Sequence, residues 1–241
     1  MYDPHEFLRV VDDHKVPVLI GGTITMLLNY AWFYEAIRVA RKDRAFPVPA
    51  ACLFLWFAHD GLFVWSYPLW FHTYDHWFLK LFWVAIVVTA LCELLFLRDL
   101  LRYGRAETAP SLTQGRFRVG VVLAMAGVWV TWVVLHQVMN DPLNIYAFFV
   151  VNILYPVFGT AMTLRRGSRR GQTTMMWVYC TLETTAWVLT CVLFLGDMFR
   201  SWPWLSLGAV MILWTAAGAV LVHRSPSYAA QEPAPLSAQP A

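Results

Sequence analysis

The sequence predicts an all-α, polytopic membrane protein of seven transmembrane helices, and three observations carry that prediction. Apolar residues make up 59% and charged residues 14% of the 241 positions, against roughly 45–50% and 25% in soluble domains. Seven apolar stretches approach the ~20 residues that a helix needs to cross a bilayer: residues 16–39, 49–71, 77–97, 119–138, 144–164, 174–195 and 203–222. Basic residues gather in alternate loops, 14 of the 18 on one side, which by the positive-inside rule puts the N-terminus outside and the C-terminus in the cytoplasm. One helical bundle over residues 1–224 leaves no room for a soluble domain.

The chain opens on a polar arm with Asp3, Glu6, Asp12 and Asp13 where a signal peptide would carry a basic region, so no leader is expected. The first span carries Asn29 and then Glu35, which lies close enough to Arg38 to pair with it or to snorkel. The basic loop after it holds Arg41, Lys42 and Arg44. The second span is the unusual one. Its segment LFLWFAHDGLFVWSYP, residues 53–68, sets Asp60 in a run of rings, with Trp56, Phe57, Phe63, Val64 and Tyr67 on the same side at helical spacing. His59 sits about 100° round the helix from Asp60 and need not touch it. The stretch His72, Thr73, Tyr74, Asp75, His76 at the outer mouth has too few ligands for a metal site and reads as a surface loop.

The third span holds Glu93, a turn or so from Arg98, which favours a structural role, although an inward face would make it a third pocket acid. The fourth span has no acid. The fifth contains Asn152 and Pro156, and the sixth Glu183, with Tyr179, Ala186, Trp187 and Thr190 at helical spacing. The outer-loop acids Asp141 and Asp197 read as solvated. Trp65, Tyr67, Trp70, Trp77, Trp202 and Trp204 form an aromatic belt near the outer span ends. Residues 225–241, rich in Pro, Ala and Ser, read as a disordered cytoplasmic tail.

Shifting the sequence by 123 residues aligns Asn29 with Asn152, Lys42 with Arg165 and Asp60 with Glu183. That offset implies a 3+1+3 arrangement of parallel repeats. It would place Asp60 and Glu183 face to face at mid-depth.

A carboxyl group inside a membrane span is costly and is a functional-site hypothesis by default. Asp60 and Glu183 have no lysine or arginine in their spans, so they read as protonated acids. The alternative is a structural role as interhelical glue, which Ser, Thr and Asn perform at lower cost. The 13 Trp, 10 Tyr and 16 Phe supply faces that stabilise cations, by ~2 kcal/mol or more each when desolvated. A proton donor among rings suits carbocation chemistry on an apolar chain dissolved in the bilayer.

Other chemistries lack their residues. The last span has no lysine for a retinal Schiff base, and no DDxxD stretch is present to hold magnesium. Gly-rich phosphate loops, GxSxG and histidine boxes are missing as well. Cys52, Cys92, Cys180 and Cys191 fall inside spans without metal-type spacing and read as packing residues. The net charge of +3 reflects arginine placement and implies no nucleic-acid partner. An enzyme built this way starts by protonation and needs no metal or redox cofactor.

FAHDGLFVWSYP, with Asp60 eight residues before Pro68, and Arg165–Arg166 followed by Gly171–Gln172, resemble the small seven-helix membrane terpene cyclases of fungal meroterpenoid pathways, of the pyripyropene-cyclase type, and their actinobacterial drimentine-like relatives. Asp60 stands where that family carries glutamate, and the last span lacks the family's second acid, a role that Glu183 or Glu93 would take. The resemblance implies a bacterial plasma-membrane enzyme. It would protonate the terminal alkene, less readily an epoxide, of a farnesyl-type chain on an aromatic or indole-derived head. The product would be a meroterpenoid or indole sesquiterpene. Asp60 would be the general acid, and Glu183 would tune it or take the final proton. Asn29 and Asn152 would contact substrate, and Trp56, Phe57, Phe63, Tyr67, Tyr179 and Trp187 would stabilise cations. The rival expectation, from the repeat, is a small proton-coupled transporter, for which Gly61 and Pro156 are the nearest helix interruptions.

Overall fold

The computed structural model describes residues 2–228, so the end of the tail expected over 225–241 lies outside the described residues. Among the described residues the regular structure is helical throughout. Among these residues six helical stretches are long and apolar enough to cross a membrane, with Ile145–Arg166 taken as one, and a seventh apolar helix is shorter.

The polar N-terminal arm is itself a helix, α1 (Pro4–Asp13). Asp3 caps it, accepting from the His5 amide at 2.8 Å, and Pro4 stands at its first position, where a missing N–H costs nothing. Phe7, Leu8 and Val11 share one face and are buried. The chain turns at His14 into α2 (Lys15–Asp43), which ends where Arg44 takes a left-handed conformation.

The second apolar stretch does not form one long span. It makes α3 (Ala50–Trp65), a turn at Ser66, and then a π-helical turn over Leu69–Thr73. Pro68 is the cause. It has no N–H to donate to the Val64 carbonyl four residues back, and the Trp83 indole takes up that carbonyl at 3.3 Å instead. His76 then caps α4 (Trp77–Tyr103), and a short α5 (Arg105–Thr108) follows.

α6 (Gln114–Met139) starts on a Thr113 cap and buries only Phe117, Val121 and Trp132. The fifth stretch breaks into α7 (Ile145–Val151) and α8 (Leu154–Arg166). Pro156 has no N–H for the carbonyl of Asn152, and the Asn152 side-chain amide donates to the Phe148 carbonyl at 2.8 Å. α9 (Thr174–Phe194), capped by Thr173, and α10 (Trp202–Arg224) complete the bundle.

α2 packs along α9, and α9 along α10, which also meets α8. On the other side α3 packs against α4 and α6, and α2 also meets α4. Gly61 does not interrupt its helix. The Trp129 ring of α6 packs directly against it, since a Cβ there would lie 2.2 Å from that ring.

Two further expectations are corrected at the end of the bundle that carries α1. Asp141 is buried, not solvated: its carboxylate accepts from the Ile145 and Ala147 amides at 3.0 and 2.8 Å, and Tyr2 donates to it at 2.5 Å. Trp70 belongs to the core and not to an exposed aromatic belt, because the π-helical turn points it inward against Phe63 and Phe82.

Candidate functional site

Where α2, α3, α4, α7, α8 and α9 converge, three buried carboxyl groups line one cavity: Asp60, Glu93 and Glu183. Its rings are Trp32, Phe33, Trp56, Phe148 and Tyr155, and both asparagines, Asn29 and Asn152, reach its wall. The broken helix belongs to this wall, as irregular backbone at membrane depth is tolerated where it lines a cavity.

Asp60 projects from α3 toward α4. Its Oδ2 lies 2.6 Å from the Thr89 hydroxyl and its Oδ1 2.8 Å from His59 Nδ1. The Thr89 hydroxyl also lies 2.8 Å from the Ile86 carbonyl. A hydroxyl has one proton to donate, shared here between those two acceptors. Thr89 and Glu93 stand four residues apart and so share one face of α4, which sets the Glu93 carboxyl on the same cavity as Asp60.

The expectation that His59 stands apart from Asp60 is therefore corrected. Neighbouring residues on a helix diverge at the backbone, but the short aspartate side chain bends back to the imidazole. His59 is fully enclosed, with its ring centroid 4.7 Å from Phe63 and 5.7 Å from Trp132, and its Nε2 has no protein partner. The structural reading of Glu93 through Arg98 does not hold either, because Arg98 turns to Asp99 at 3.0 Å. Glu35, in contrast, pairs with Arg38 at 2.6 Å and accepts from Thr173 at 2.9 Å.

Glu183 lies on the opposite wall, on α9, beside Asn29 of α2 and its own neighbour Thr184. Glu183 Oε1, Asn29 Oδ1 and Glu93 Oε2 are all buried without a protein partner. Unpaired buried polar atoms cost about 1–3 kcal/mol each, so these, with His59 Nε2, Trp32 Nε1 and Tyr155 Oη on the same cavity, mark a place that receives a polar ligand or water.

The rings expected round the acids divide. Trp56 lines the cavity. Phe63 packs behind it, under His59. Trp187 lines a neighbouring apolar groove. Phe57 and Tyr179 do not line the cavity. Tyr67 is well outside: it is 40% exposed and stacks on Phe71, because the chain leaves the regular helix at Ser66 before reaching it. Trp32, Phe33, Phe148, Tyr155 and Thr89 are among the lining residues that the sequence reading missed. For three of them a signal existed: Trp32 and Tyr155 follow Asn29 and Asn152 by three residues, and Thr89 precedes Glu93 by four.

The His72–His76 stretch splits between partners. His76 bonds Asp12 at 3.1 Å, and Asp75 pairs with Lys80. Among the described residues no group of three or more His, Cys, Asp or Glu side chains is placed to hold a metal ion. No family model matches the chain, and no curated protein or solved structure does.

Proposed function

We propose that this chain is a membrane-bound terpene cyclase that starts cyclisation by protonating a prenyl chain. The observation that carries the reading is one cavity lined by three buried carboxyls, Asp60, Glu93 and Glu183, together with aromatic faces. Asp60 delivers a proton to the terminal alkene carbon, and the alkene's electron pair becomes the new C–H bond. The cation left behind is attacked by the next alkene along the chain, which closes a ring. Trp56, Trp32 and Tyr155 offer π faces to the moving charge. Loss of a C–H proton to the Glu183 carboxylate restores an alkene, and return of that proton to Asp60 across the shared cavity resets the acid, so the net reaction is an isomerisation. Glu93, on the same cavity, tunes Asp60, and Glu183 keeps the role of final base. The substrate would be a farnesyl-type chain on an aromatic or indole-derived head, taken from a bacterial plasma membrane.

The test is Asp60→Asn in membranes supplied with farnesylated indole. A positioned general acid contributes about 10²–10⁴-fold, so product should fall by that factor while protein level is unchanged. Normal turnover by the variant would end the proposal.

A second reading, a small proton-coupled transporter, is favoured by one observation: the helix broken at Asn152 beside the acids. The 123-residue offset supports it. Adding 123 carries the end of α2 onto the end of α8, and the starts of α3 and α4 to within two residues of the starts of α9 and α10. Solute uptake by proteoliposomes, with no product from prenylated lipids, would select the transporter.

A further inference from the structure

The cavity between the carboxyls is small, about 60 Å³ measured as space open to the centre of a water-sized sphere. On that measure a single water needs about 10–15 Å³, so the cavity holds the end of a prenyl chain and not its length. Beside it, an almost wholly apolar groove of about 270 Å³ runs between α2 and α4. Met26 and Phe148 line both spaces, so the groove abuts the acids. It follows α2 from Val18 to Tyr30, about 18 Å of helix at 1.5 Å per residue. Phe82 and Trp187 give it aromatic walls.

Gly22 lies in this groove, and a Cβ built there meets no atom within 4 Å, so the space in front of it is open. Ala85, across from it on α4, is the other small residue of the lining. Two helices that otherwise carry large side chains thus leave a trough between them.

Resting on the cyclase reading above, we propose that the α2–α4 groove binds the prenyl chain and admits it sideways from the bilayer. Its reactive end passes Met26 and Phe148 to reach Asp60, and Gly22 and Ala85 set the longest chain that fits. A prenyl chain suits the groove better than a saturated acyl chain because its alkenes can meet the π faces of Phe82, Phe148 and Trp187 along the way.

The experiment uses the full chain in phospholipid nanodiscs and a farnesyl-indole probe with a diazirine on the chain, followed by peptide mapping of the adducts. Adducts are expected on groove residues such as Leu19, Met26 and Leu81. A saturated hexadecyl-indole diazirine should label them far less. Gly22→Phe replaces glycine inside a helix with a better helix former and has room for its first atoms, so it should fold. It should cut farnesyl-indole turnover and labelling by about 10–200-fold, the discrimination a hydrophobic pocket achieves. Geranyl-indole, one isoprene shorter, should still be cyclised.

Adducts confined to other helix faces, equal labelling by the hexadecyl probe, or equal turnover of both chain lengths by Gly22→Phe would each overturn the groove assignment. These outcomes differ from failure of the cyclase reading. In that case wild-type protein makes no product from either substrate, whatever the probe labels.

Discussion

At the scale of single residues, the site is defined by what meets Asp60: an imidazole and a hydroxyl bond it, and Glu93 and Glu183 line the same cavity. Glu93→Gln keeps the side-chain shape and removes its acid, and should lower turnover of farnesyl-indole by one to two orders of magnitude, within the ~10²–10⁴ range of acid–base effects. Unchanged turnover would mean that Glu93 is only packing.

Asp60 was legible in the sequence because an acid in a run of rings has no cheap structural use, and Glu183 for the same reason. That Glu93 shares the cavity of Asp60 was not legible. That depends on the rotation of α4 about its axis, and the nearness of Arg98 in sequence pointed the wrong way, since Arg98 prefers the adjacent Asp99. Counting helical faces put Trp56 on the cavity wall and Phe63 behind it, but wrongly included Phe57. It failed at Tyr67, where Pro68 had already ended the regular helix.

At the scale of elements, short-range contacts decide where helices sit. The absence of a side chain at Gly61 lets Trp129 of α6 pack against α3 one residue from Asp60. Gly61→Leu overpacks that contact and should destabilise the protein by about 1–3 kcal/mol, read as a lower midpoint of thermal unfolding in detergent. An unchanged midpoint would show that the two helices can separate freely.

α1 is held at the opposite end of α3 and α4 from the arginine-rich loops. Asp12 accepts from the Trp77 indole at 2.6 Å and bonds His76 at 3.1 Å. The Trp77 bond, followed by the His76 ring, holds the Asp12 carboxyl below its ordinary value of 3.8. A depressed carboxyl stabilises the folded arrangement above its ordinary pKa and loses that contribution as pH falls through the folded-state value. Protection of the α1 amides against hydrogen exchange, relative to their intrinsic rates, should thus be high and constant from pH 7 to 5 in wild type and lower in Asp12→Asn. The two should converge only under acid, below the ordinary value. A difference that persists there would assign the effect to something other than the charge.

At the scale of the whole molecule, composition and span length were enough to read a polytopic helical bundle, because both follow from the bilayer as solvent. They were not enough to place its interruptions. The breaks at Pro68 and Asn152 arise from single prolines, and an apolar stretch containing one looks the same to a hydropathy window as an unbroken span. The arm before the first span was read as polar, although Phe7, Leu8 and Val11 give it a face to bury. What the bundle achieves is to hold three acids between aromatic faces, beside a trough wide enough for a lipid-soluble chain.

Transfer of a proton from Asp60 to carbon is the central claim, and isotope incorporation reads it directly. Purified protein in nanodiscs, equilibrated in deuterated water and given farnesyl-indole, should yield a cyclised isomer with one deuterium at the former terminal alkene, and Asp60→Asn should yield none. Substrate returned uncyclised by wild-type protein, or deuterated product from the variant at the wild-type rate, would contradict the account.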